Sequence, residues 1–269
     1  MANYRYFLSI QTLLPDNYRN NRDFIDNMKT LQEEGFDGVE LNIRDPFSID
    51  PADLKSFLGD FGLQLAMFAS GATAKGMGLS LASTDDKQRS ESVRQSIAFL
   101  EFASRFGAGL IAGFLKGPLE HRSPENREKL RQSVSELAPH ALRLKTPLLL
   151  EAINRFESPL GNSLDDTFDL IGKAANPYTW ILPDTWHMNI EETSMAGAMM
   201  KHREHFGSFH LSENNRFFPG YGALDFKQII EVLDACGYTG KLAIEGNIKK
   251  SFREDVQHSM RFLKPLLEK

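Results

Sequence analysis

Cys236 is the one cysteine in 269 residues, so no internal disulfide forms, and the usage agrees with a reducing compartment. As a buried helix residue it reads as inert. No apolar run approaches the ~20 residues of a bilayer-spanning helix, which argues against a membrane partner. The opening residues, MANYRYFLSIQTLL, lack the basic leader and long apolar stretch of a secretory signal, so the expected location is cytoplasmic. Positive charge is not in excess either. A formal net charge of -5 argues against a nucleic-acid partner, which would ask for a basic surface. The G-x-G-x-x-G turn of a dinucleotide site is missing between the first strand and helix. What is present is an ordinary globular composition, 41% hydrophobic and 25% charged. No linker, low-complexity tract or repeat marks a boundary, so residues 1–269 are expected to form a single domain.

Short β-rich runs alternate with amphipathic segments. Strands are expected at Tyr6–Gln11, Gly38–Leu41, Leu63–Ala69, Leu110–Leu115, Pro147–Ile153, Trp180–Thr185, Gly207–Leu211 and Lys241–Glu245. Helices are expected at Asp23–Glu34, Pro51–Phe61, Asp85–Phe106, Pro124–Leu144, Ser163–Ala175, Ile190–Glu204, Asp225–Cys236 and Phe252–Leu267, with Gly35 and Gly107 as stops and Ser163 as a cap. Residues Gly71–Ser83 read as a loop. Strict alternation of this kind predicts an α/β fold, a (β/α)8 TIM barrel; a doubly wound open sheet is disfavoured because polar residues gather at many strand ends, not at one crevice.

Alternation of side chains along a strand sorts those polar residues. In PLLLEAI, Glu151 shares a face with Leu149; Asp184 shares one with Trp180 and Leu182; His210 shares one with Ser208 and Ser212; Glu245 shares one with Ala243. The opposite faces are greasy, as packing against helices requires. Glu151, Asp184, His210 and Glu245 therefore point into the barrel at carboxyl ends of strands, where barrel active sites are built. Three adjacent carboxylates repel one another, and a divalent cation relieves that repulsion. Three carboxylates and an imidazole suit manganese, magnesium or a similar metal.

The stretch 209–226, FHLSENNRFFPGYGALDF, mixes acid, imidazole, amides, guanidinium and glycines, which is poor core material and good loop material for a polar ligand. Arg216 is read as substrate-facing, with an ion pair to Glu213 as the structural alternative. His187, three residues beyond Asp184, has three readings: metal ligand, donor to a substrate oxygen, or cap of the next helix. Glu157 is placed to orient it. His202 and His205 read as a solvated helix end. The segment GATAKGMGLS offers glycine amides and Lys75 as phosphate-nest ingredients, although a lid over the ligand is the more ordinary reading.

The pieces EAINRFE, DTWHMNIEE, FHLSENNRFFPGYGALDF and the terminal IEG resemble the xylose-isomerase-like barrel superfamily, and within it the ketose 3-epimerases of the D-tagatose and D-psicose (allulose) type. The resemblance implies one divalent metal ion, with manganese expected and magnesium or cobalt as alternatives, held by Glu151, Asp184, His210 and Glu245. It also implies a small-molecule sugar contacted by Glu157, His187 and Arg216, and a homo-oligomer, dimer or tetramer. In the family mechanism one glutamate removes the C3 proton of a ketose, a cis-enediolate forms, and the other reprotonates the opposite face. Glu151 and Glu245 would fill those catalytic roles. One departure stands out: Gly246-Asn247 follows Glu245 where many of these epimerases are expected to carry a proline and an aromatic residue.

Aldose–ketose or hydroxypyruvate-type isomerisation, on a free or phosphorylated sugar, is the alternative that the same residues support. The apurinic endonucleases of the superfamily use further histidines from strands three and four and after strand seven. MFAS, AGFL and GALDF contain none, which argues against DNA cleavage.

Overall fold

The computed structural model describes residues 4–268. Eight strands, β1 (Phe7–Leu13), β2 (Gly38–Asn42), β3 (Gln64–Ala69), β4 (Gly109–Ala112), β5 (Leu148–Glu151), β6 (Thr179–Leu182), β7 (Phe209–Leu211) and β8 (Lys241–Ile244), pair in parallel in the order β6-β5-β4-β3-β2-β1-β8-β7. The ring closes between β6 and β7 through isolated parallel bridges, Ile181–Phe206 and Asp184–His210, with the His210 amide donating to the Pro183 carbonyl at 2.9 Å. This is the (β/α)8 barrel that the alternation predicts. Its seam is short of ladder hydrogen bonds, and two of the four expected ligands sit on it.

Among the described residues ten α-helices surround the sheet: α1 (Arg22–Glu34), α2 (Pro51–Gly59), α3 (Gly71–Met77), α4 (Asp86–Ser104), α5 (Pro124–Leu144), α6 (Leu164–Ile171), α7 (Thr185–Glu191), α8 (Met195–His202), α9 (Phe226–Ala235) and α10 (Phe252–Leu267). Among the described residues no helix is long and apolar enough to cross a membrane. Gly35 stops α1 in the left-handed conformation at φ 79°, and the Ser163 hydroxyl accepts from the Asp166 amide, as expected from sequence.

Two expectations change. Gly71–Ser83 is not all loop, because α3 forms over its first turns. Asn42 Oδ1 accepts from the Ala72 amide at 3.0 Å, Thr73 bonds the Ile43 carbonyl, and Ala74 is buried. Tertiary contacts thus override two glycines' poor helix propensity. The helix expected at Ile190–Glu204 is two helices. Asp184 caps α7 by accepting from the Trp186 and His187 amides, and the Ser194 hydroxyl caps α8 by accepting from the Gly197 amide.

The core divides as alternation predicts. Met67, Ala69, Ile111, Leu149 and Leu182 form a cluster of their own, with Trp180 against it. Leu148, Leu150, Phe209, Leu211, Leu242 and Ile244 belong to the large cluster shared with the helices. Cys236 is half-buried at the end of α9.

Candidate metal centre

Glu151 ends β5, Asp184 lies two residues beyond β6, His210 sits within β7 and Glu245 follows β8. Each offers one ligand atom, and these atoms all lie within 4.8 Å of one another. His210 and Asp184 are fully buried and Glu151 nearly so. Gly113, just past β4, makes room for this convergence, because a Cβ there would collide with Glu151 Oε2.

Each donor is held by a neighbour. His210 Nε2 is 2.8 Å from Glu40 Oε2, a buried carboxylate on β2, so Nδ1 is the nitrogen turned towards the cluster. From there Nδ1 meets Glu245 Oε2 at 2.6 Å, Glu151 Oε1 at 3.6 Å and Asp184 Oδ2 at 3.8 Å. A carboxylate behind an imidazole sets its tautomer and ring orientation in metal sites. Asp184 divides its two oxygens. Oδ1 accepts from the Trp186 and His187 amides at the start of α7, whereas Oδ2 accepts from Arg216 Nη1 at 2.7 Å.

Arg216 bridges Asp184 and Glu245, with Nη2 2.7 Å from Glu245 Oε1, and its guanidinium lies 4.6 Å from the Trp186 ring centroid. Its backbone is left-handed at φ 62°, a strained choice for a side chain of this size. The Glu213–Arg216 turn and Gly246 accommodate it: a Cβ at Gly246 would come within 2.9 Å of the Arg216 carbonyl oxygen, which instead accepts from the Asn247 amide at 2.7 Å. The departure at Gly246-Asn247 is thus part of what positions Arg216. The alternative ion pair with Glu213 does not form; Glu213 accepts from the Gly220 and Leu224 amides and pins the loop.

The partners of His187 set its tautomer. Its Nδ1 accepts from the Asn154 backbone amide at 3.2 Å and lies 2.8 Å from Asn154 Nδ2. A backbone N–H can only donate, so Nδ1 carries no proton and Nε2–H faces the cleft, 4.0 Å from Glu151 Oε1. The cap of α7 is Asp184, and the residue orienting His187 is Asn154; Glu157 is exposed and lines the recess beside it. His202 is buried and bonds Asp165 at 2.5 Å, so the solvated-end reading fails there.

The electrostatics follow from crowding. Burial alone would lower the His210 pKa, but Glu40 and Glu245 raise it well above its usual range. Burial alone would raise that of Glu245, yet Arg216 and His210 hold it well below. Lys116, in the turn after β4, is fully buried and donates to the Glu151 carbonyl at 2.7 Å and the Gly161 carbonyl at 3.1 Å. Burial pushes its ammonium down to about 7 against the pull of Glu151 and Asp166. Three carboxylates and one imidazole pre-oriented by Glu40 form a donor set that fits a divalent ion.

Sequence reasoning missed Glu40, Lys116 and Asn154. For Glu40 the signal was there: in GVEL, Gly38 and Glu40 share the face opposite Val39 and Leu41. Lys116 and Asn154 carry no such mark, since both lie in irregular turns.

Beside the cluster is a recess of about 40 Å³ lined by Glu151, His187, Arg216 and Glu245. Next to it a cavity of about 770 Å³ opens between β1, α3 and the turn after β4.

The family described as xylose isomerase-like TIM barrel matches residues 28–266. The chain is similar to 3-dehydro-D-guloside 4-epimerase of Escherichia coli K12, 26% identical over 89% of this chain and 90% of that one. It is also similar to ketose 3-epimerase of Arthrobacter globiformis, 29% identical over 81% of this chain and 76% of the other. Among solved structures, D-psicose 3-epimerase with D-tagatose from Clostridium cellulolyticum H10 superposes with a TM-score of 0.83 at 22% identity, covering 97% of this chain and 99% of that one.

Proposed function

Because the chain belongs to the xylose isomerase-like TIM barrel family, we propose that it is a metal-dependent sugar epimerase, inverting C3 of a ketose by deprotonation and reprotonation. The observation that carries this reading is the approach of two glutamates from different strands to one imidazole nitrogen: Glu151 at 3.6 Å and Glu245 at 2.6 Å from His210 Nδ1. Inversion needs a base on each face of a planar intermediate, and two carboxylates serving one recess supply the pair.

A divalent ion held by Glu151, Asp184, His210 and Glu245, manganese by expectation, supplies Lewis-acid polarisation of the substrate carbonyl when bound. The chain's own groups do the rest. One glutamate, ionised, accepts the C3 proton; the other enters the step protonated and gives its proton to the opposite face of the enediolate, and exchange with solvent resets the pair. His187 Nε2–H and the Arg216 guanidinium donate to oxygens that gain charge as the proton leaves. A positioned base contributes about 10²–10⁴-fold, whereas enzymes commonly reach about 10⁶-fold or more, so stabilisation of the developing charge by the metal and these donors supplies the remainder. Ketose 3-epimerases and a 3-dehydro-sugar 4-epimerase both stand among the relatives, and one chemistry covers both. The acidic carbon is the one next to the carbonyl, C3 in a 2-ketose and C4 in a 3-dehydro sugar.

The test is deuterium exchange. Metal-loaded protein incubated with D-fructose, D-tagatose or L-ribulose in heavy water is expected to place deuterium at C3 and yield the C3 epimer. Label at C2 of an aldose product, or at C1 of the recovered ketose, indicates isomerisation instead. No exchange with any free, phosphorylated or 3-dehydro sugar removes both readings.

A further inference from the structure

We propose that the physiological substrate is an extended sugar: an α-hydroxyketone whose ring carries a second ring or comparable group through a glycosidic oxygen, seated in the 770 Å³ cavity. The proposal rests on the epimerase reading above. The recess at the carboxylates holds only about 40 Å³, enough for the reacting carbons and their oxygens. The large cavity continues it directly, since Gln11, Asn42, Gly71, Phe114, Arg216 and Glu245 line both. A cavity within the ~300–1,000 Å³ range of small-molecule sites buries a ligand of drug-like size. A free ketose has about half the heavy atoms of a disaccharide and would leave most of that space to water.

The walls indicate the class of group. Phe114 and Leu13 are large apolar side chains left 48% and 40% exposed, and both face this cavity along with Leu79 and Pro118. Aromatic and aliphatic surfaces of this kind pack on the C–H face of a sugar ring or on an apolar aglycone, while the Asn247 side chain offers hydrogen bonds to hydroxyls. A phosphate suits the walls less well. Lys75 is the single cation on the α3 side, and the Ala72 amide at the start of α3 already donates to Asn42 Oδ1.

Isomaltulose, lactulose and phenyl 3-dehydro-glucoside are the probes, with D-fructose as reference. In saturation-transfer NMR on magnesium-loaded protein, at least one probe is expected to show transfer to both of its rings; transfer confined to the ketone-bearing ring in all three overturns the subsite. In deuterium exchange, kcat/KM for the best probe is expected to exceed that for D-fructose by about tenfold or more. A ratio of one or below overturns the proposal. Phe114→Ala is expected to lower that ratio about fivefold, chiefly through KM of the extended sugar; an equal fall on both substrates overturns the assignment of Phe114. Transfer to both rings without exchange on any sugar upholds the subsite and removes the epimerase reading instead, so the two failures are distinguishable.

Discussion

The two halves of the barrel mouth are made of different chemistry. Strands β5 to β8 deliver Glu151, Asp184, His210 and Glu245 to one point. At the same level β1 to β4 deliver Gln11, Asn42, Ala69 and Gly113, which are neutral and small or amide-bearing. One half concentrates charge where a proton must move, and the other leaves space and gentle polarity where a ligand must fit. Two charged side chains cross the divide. Glu40 and Lys116 come from the neutral half, are fully buried, and end on His210 and on the Glu151 backbone. They hold the charged half in place without reaching the cleft themselves.

That contrast can be broken at three levels. Glu151→Gln and Glu245→Gln, each nearly isosteric, are expected to lower turnover about 10⁴-fold or more, since each removes a base and weakens the metal set. Steady-state rates with a ketose check this, and near-normal turnover in either variant ends the two-base assignment. Glu40→Gln tests whether the neutral half acts through His210. Loss of the carboxylate behind a metal-binding imidazole is expected to weaken divalent-ion affinity about 10–100-fold, measured by calorimetry; unchanged affinity would make Glu40 a bystander. The smallest effect belongs to the neutral half itself. Asn42→Ala removes the acceptor of the Ala72 amide in the first turn of α3 and is expected to cost about 1 kcal/mol in urea denaturation, raising KM more than it lowers kcat. A larger fall in kcat than rise in KM would place Asn42 on the charged side of the comparison.

The inward acids were legible because β-strand alternation is local: Glu151 follows Leu149 on one face whatever lies across the barrel. Glu40 was equally legible in GVEL, where it shares with Gly38 the face opposite Val39 and Leu41. The helix α7 was not legible. Trp186, His187 and Asn189 are indifferent helix formers, and what starts the helix is Asp184, a residue read only for its metal chemistry. The carboxylate does both, one oxygen for the cap and one for the cluster.

By itself the sequence determined the barrel, its inward faces and the convergence of three carboxylates and one histidine, because periodicity and strand order depend on neighbours along the chain. Tertiary structure alone decided which nitrogen of His187 bears the proton, that Arg216 bridges Asp184 and Glu245 and leaves Glu213 to the loop, and that Lys116 lies beneath Glu151. Those are contacts between residues distant in sequence, selected by burial, where an unpartnered polar group is costly and only the folded neighbourhood supplies the partner.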